Sequence, residues 1–120
     1  MKDSQKLFNI IEALEKHEDS SAVKVLEEVG TNCADEEIRK LSIKALIRRN
    51  TPESLDVVIN RKGKGINDLS SNVVMSTIND MLELKNKENL LKVLENTYKN
   101  SEDKILRECA ESIKTLIALS

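Results

Sequence analysis

Few residues in this chain have the types and spacing that chemistry requires. A single histidine, His17, cannot build an imidazole-rich metal site, and Cys33 and Cys109 lack the spacing of a zinc knuckle or a redox pair. Adjacent carboxylates occur at Glu27-Glu28 and Glu36-Glu37. Neighbouring helical residues point in different directions, so neither pair reads as a general acid with its base. Lys62-Gly63-Lys64-Gly65 superficially has the residues of a phosphate-binding loop. It lacks the longer Gly-to-Gly-Lys spacing, the following Ser or Thr and the preceding strand. The expectation is a protein that is not an enzyme and has no cofactor and no metal.

Charge distribution says more. Between Lys44 and Lys64 stand six cations (Lys44, Arg48, Arg49, Arg61, Lys62, Lys64) against Glu53 and Asp56, a local balance of +4. Residues 1–37 carry four basic and ten acidic side chains, a balance of −6. Such polarity steers an acidic partner to the middle of the chain and a basic one to its N-terminal end. Nucleic acid is the competing expectation, with Arg48, Arg49, Arg61, Lys62 and Lys64 on phosphates. Against it stand the net charge of −2, the near absence of stacking aromatics and the small number of clustered cations.

The elements that position these residues read as helices. The 120 residues are 39% hydrophobic and 33% charged, which suits one folded domain, 1–120, and is too apolar for disorder. Aromatics are limited to Phe8 and Tyr98, so burial falls to Leu, Ile and Val among helix-forming Lys, Glu and Leu. No stretch reads as a strand. Cys33 and Cys109 look like reduced thiols in a chain with no N-terminal apolar signal region, and Cys109 shares an apolar face with Ile105, Leu106, Ile113 and Leu116. No apolar run reaches the roughly 18 residues of a membrane span. A soluble, cytoplasmic protein is expected.

Apolar spacing places a first helix over about Asp3 to His17 and a second after Asp19, Ser20 and Ser21 that stops at Gly30. A third runs from about Asp35, its acidic first turn and terminal Arg48-Arg49 matching the helix dipole. Thr51-Pro52 restarts a fourth, to about Asn60. After a loop at Arg61 to Asp68, a fifth covers about Ser70 to Leu84. Asn86 caps a sixth, about Lys87 to Tyr98, and Asn100 or Ser101 starts a seventh with an Ile105 to Ile117 stripe. Short connections keep sequential helices antiparallel.

The pattern repeats. Sliding Asp35 to Asn60 forward by 35 places sets Ile38 on Val73, Ile43 on Ile78, Leu46 on Met81, Glu53 on Glu88, Leu55 on Leu90 and Val58 on Val93. Copies recur at intervals of 32, 35 and 32 residues, which implies stacked helical hairpins.

Ile38-Arg39 followed by Ser42, Ala45 and Leu46 resembles the first helix of a HEAT-like repeat, as does Leu106-Arg107 followed by Cys109, Ala110 and Ile113. Thr51 to Leu55 resembles the start of the second helix in short bacterial and archaeal repeats of that armadillo-like family. The middle copy departs, with Val74 where Arg is expected and Asp80 where a small residue would pack. The resemblance implies a short right-handed α-solenoid of about seven antiparallel helices, three hairpins plus a C-terminal helix. It also implies a protein-binding module whose second helices line the binding surface, with Lys24, Glu27, Glu28, Asp56, Asn60, Lys92, Glu95 and Asn96 facing outward. The partner-binding candidates are therefore Arg48, Arg49, Asp56, Asn60, Arg61, Lys62, Lys64, Lys92 and Glu95. The apolar end Leu116-Ile117-Ala118-Leu119 could instead pair two copies through the last helix.

Overall fold

The computed structural model describes residues 2–32, 35–60 and 71–119, and among these it contains seven α-helices and no strand. They are α1 (Lys2–Lys16), α2 (Ser21–Asn32), α3 (Glu36–Arg49), α4 (Pro52–Asn60), α5 (Ser71–Leu82), α6 (Glu88–Asn100) and α7 (Lys104–Leu119). The all-α reading holds.

Local chemistry sets most boundaries. Asp35 is the extended N-cap of α3, and its carboxylate accepts from the Glu37 amide at 2.9 Å. Thr51 Oγ1 accepts from the Ser54 amide at 3.1 Å while Ser54 Oγ accepts from the Thr51 amide at 3.2 Å, a reciprocal cap that leaves Pro52 at the first helical position. Asn86 Oδ1 accepts from the Glu88 amide at 3.0 Å. α5 ends at Leu82 and α6 runs to Asn100, two residues short of and beyond expectation, and two further boundaries differ for a visible reason. The Asp103 carboxylate takes the Ile105 and Leu106 amides, so α7 starts at Lys104 rather than beside Asn100 or Ser101. Leu106 then turns inward and Ile105 is left 66% exposed.

The second difference is at Gly30, which does not stop α2. The helix carries on to Asn32, because α3 packs against it there: Gly30 is buried and its carbonyl accepts from Arg39 Nε at 3.1 Å. Ser42 Oγ, also buried, donates to the Leu26 carbonyl one turn earlier. Tertiary hydrogen bonds offset the intrinsic helix cost of glycine, about 1 kcal/mol.

The helices pack as two layers. α3 lies against both α1 and α5, and α4 lies against both α2 and α6, while α2 packs on α3 and α7 on α6. The 35-residue spacing reappears in the burial. Ile38 and Val73, Leu46 and Met81, Leu55 and Leu90, and Val58 and Val93 are all buried, and so are Ile59 and Leu94. Ser42 and Thr77 form a buried polar pair at the same spacing, with Thr77 Oγ1 donating to its own helix at Val73. One apolar cluster runs from Ile11 to Ile113.

Candidate protein-interaction surface

On the layer of second helices, Pro52, Glu53 and Asp56 of α4 face Lys92, Val93 and Asn96 of α6 across a shallow groove of about 400 Å³. The surface continues over α6 along Leu91, Glu95 and Lys99. Asparagines hold the two helices in register. Asn50 ends α3 in the left-handed conformation (φ 52°, ψ 44°), a geometry that asparagine tolerates better than other residues bearing a Cβ. From there its Nδ2 donates to the Asn86 carbonyl, and Asn89 Nδ2 donates back to the Asn50 carbonyl, both at 2.9 Å. At the other end of α4, Asn60 Nδ2 donates to Thr97 Oγ1 at 2.6 Å and to Asp56 Oδ1 at 2.8 Å. The groove is therefore pinned at both ends.

Its charges are partly committed. Lys92 pairs with Glu88 one turn away at 3.5 Å, with both side chains exposed. Glu95 accepts from Lys114 of α7 at 2.5 Å and pairs with Lys99 at 3.2 Å. The Lys114 hydrogen bond, then that of Lys99, holds the Glu95 carboxyl below the usual glutamate range, and the same contact raises Lys114. Two cations lie over the Tyr98 ring, with Lys114 Nζ 5.3 Å and the Arg107 guanidinium carbon 5.8 Å from its centroid. Glu53 and Asp56, both exposed, form no ion pair among the described residues. The open face of α4 is thus acidic.

The candidates separate into groups. Asp56 and Lys92 line the groove, and Glu95 lies beside it. Asn60 is half-buried in the α4–α6 seam, with its amide donors directed to Thr97 and Asp56 rather than outward. Arg48 sits on the other layer, between α1 and α3, 4.0 Å from Glu15. Arg49 turns inward, and its guanidinium donates to the carbonyls of Leu14 (2.8 Å), His17 and Asp19 (3.5 Å). These are carbonyls at and beyond the end of α1; Leu14 and Asp19 also accept the His17 and Ala22 amides, at 3.3 and 3.1 Å, so Arg49 adds a second donor to each. Arg61, Lys62 and Lys64 lie outside the described residues. Hence Arg48 and Arg49 do not share one surface, because adjacent residues at the end of α3 point in different directions, and the turn into α4 puts Asp56 on the other layer.

Sequence reasoning missed Asn50, Asn86's carbonyl and Asn89 as the α4–α6 clamp. An Asn just after a helix that ends in Arg48-Arg49, and just before Thr-Pro, was the available signal for a left-handed cap. His17 is exposed at the end of α1 and its Nδ1 accepts from the Asp19 amide at 3.1 Å. Cys33 lies outside the described residues. Cys109 is half-buried against the core, and burial pushes its thiol up, which disfavours the reactive thiolate. Among the described residues no three His, Cys, Asp or Glu side chains gather as a metal would need, and no helix is long and apolar enough to cross a membrane. Compared with family models, curated proteins and solved structures, the chain matches none of them.

Proposed function

We propose that this chain is a HEAT-like, right-handed α-solenoid acting as a non-enzymatic protein-interaction module, an adaptor, scaffold or inhibitor, with its partner seated on the α4–α6 groove. The observation that carries the reading is the two-layer packing, in which α3 contacts α1 and α5 while α4 contacts α2 and α6, each helix meeting those two before and two after it. Dimensions agree with a stack. The long axis measures 42 Å against 26 Å for the other two, the elongation expected when helices add along one direction. The two repeat arginines also behave alike: Arg39 donates to the Gly30 carbonyl and Arg107 to the Tyr98 carbonyl, each nine residues back near the end of the preceding second helix.

The groove suits a protein partner, because it offers carboxylates, an amide, an ammonium and exposed Leu91 side by side rather than a single charge sign. Nucleic acid fits less well, since Arg49 is engaged and the face of α4 is acidic. The test is capture from the native host with wild type and with Asp56→Arg plus Lys92→Glu. A specific protein should be held by wild type and lost with the variant. Retention by the variant overturns the site, and steeply salt-dependent binding of an oligonucleotide instead of a protein overturns the function.

A further inference from the structure

A second groove, of about 460 Å³, runs between α1 and α3 on the layer opposite the α4–α6 surface. Phe8, Ile11 and Leu41 form an apolar floor. Glu12 and Glu15 rise along α1, and Lys44 and Arg48 rise along α3. Arg49 at the end of α3 reaches the carbonyls ending α1, so the two helices run parallel. With Glu15 opposite Arg48, the helical register sets Glu12 beside Lys44 and Phe8 beside Leu41. The result is a channel about two turns long, its α3 wall basic and its α1 wall acidic apart from Lys16, which lines it at the end of α1.

The walls are only loosely engaged with each other. Arg48 Nη1 stands 4.0 Å from Glu15 Oε1, and Glu12 pairs with Lys16 of its own helix at 3.8 Å with both side chains largely exposed. Lys44 forms no ion pair among the described residues. Phe8, the one phenylalanine of the chain, remains 37% exposed in this groove. Its apolar area and the wall charges are open to a complement, although the Asp80 carboxylate of α5 already lies near Lys44 and Arg48.

We propose that this groove docks an amphipathic helix of a partner protein. The apolar stripe of that helix lies on Phe8, Ile11 and Leu41. One edge places Lys or Arg against Glu12 and Glu15, and the other places Asp or Glu against Lys44 and Arg48. A helix presents one apolar stripe between two polar edges, which is the shape this floor and these walls complement. A ligand with one charge sign meets a like-charged wall whichever way it lies. A second copy of the chain is the weaker occupant, because two turns of groove fall far short of the roughly 800 Å² per partner that a stable dimer buries.

The test is fluorescence anisotropy on the full chain with three synthetic helical peptides of about 14 residues sharing a Leu stripe. One carries Lys on one edge and Glu on the other, one carries Lys on both and one carries Glu on both. The two-sign peptide should bind about tenfold tighter than either single-sign peptide. In the variant Glu12→Lys with Glu15→Gln, the preference should move to the Glu-edged peptide, a gain that misfolding cannot produce. Equal affinity of wild type for all three peptides, or an unchanged preference in the variant, overturns the proposal. So does a dimer mass at working concentration that Leu41→Gln dissolves, since the groove would then belong to a second copy.

Discussion

Arg48 and Arg49 are neighbours in sequence with opposite surroundings, so replacing each by alanine separates capping from surface charge. The Arg49 guanidinium donates to Leu14, His17 and Asp19 carbonyls, two of them closely. Hydrogen bonds from a charged donor are worth roughly 1.5–3 kcal/mol each, less where water can replace them. Here His17 and Asp19 are exposed, and Arg49 Nε is buried without a partner, which trims the loss further. The net cost of Arg49→Ala should be about 2 kcal/mol. For a chain of this length each kcal/mol moves the melting midpoint by about 3–5 °C, so a fall of about 6–10 °C is expected. Arg48 is half exposed and only 4.0 Å from Glu15, so Arg48→Ala should cost no more than about 0.5 kcal/mol, or about 2 °C. Arg49→Lys keeps the charge but not the fork, and should recover less than half of the loss. Thermal and urea unfolding followed by circular dichroism measure all three. An Arg49→Ala midpoint within about 2 °C of wild type would refute the reasoning, because the guanidinium would then not be closing α1.

Other perturbations test separate parts of the structure. Gly30→Ala should stabilise by about 0.5–1 kcal/mol in urea unfolding, because α2 is helical there and a Cβ would meet Ser42 only at ordinary contact, 3.5–3.6 Å; a loss would show that α2 and α3 need the glycine. Asn50→Gly should cost about 1 kcal/mol through the lost bond to Asn86, and Asn50→Ala about 1 kcal/mol more, because alanine is strained at φ 52°; equal losses would remove the left-handed cap from the explanation. Asp80 is half-buried, and desolvation raises its carboxyl despite nearby Lys44 and Arg48. A folded value above the unfolded one means that the folded chain holds this proton more tightly. Stability then rises as pH falls through the folded value and is diminished at neutral pH. Asp80→Asn should therefore gain up to about 1 kcal/mol at neutral pH, and the gain should vanish below about pH 4. A destabilised Asp80→Asn at neutral pH would mean that attraction to Lys44 and Arg48 outweighs burial.

Periodicity made most of the fold legible. Residues buried at the same position of both sequence copies, such as Leu55 and Leu90, announce themselves by type and spacing. Local caps were legible for the same reason, since Asp35 and Thr51 act on amides two or three residues away. What failed depends on distant partners. Gly30 reads as a stop until Arg39 and Ser42 of the next helix bond to the carbonyls around it. Arg49 reads as a surface cation until α1 supplies carbonyls more than thirty residues back. Asn60 reads as an outward amide until Thr97 meets it across the α4–α6 seam. The candidate site was half legible: the family resemblance implied that Asp56, Lys92 and Glu95 face outward, whereas the layer to which Arg48 belongs is a tertiary fact.

The most direct test of the interaction surface is site-specific photo-cross-linking in the native host. A photoreactive residue in place of Asp56 or Asn96, in the α4–α6 groove, should cross-link the same protein from both positions. The same residue at Lys104, on the exposed start of α7, should not. Cross-links to one protein from Asp56 and Asn96 alone are the expected result. No protein cross-link from either groove position, or equal cross-linking from Lys104, would contradict the account.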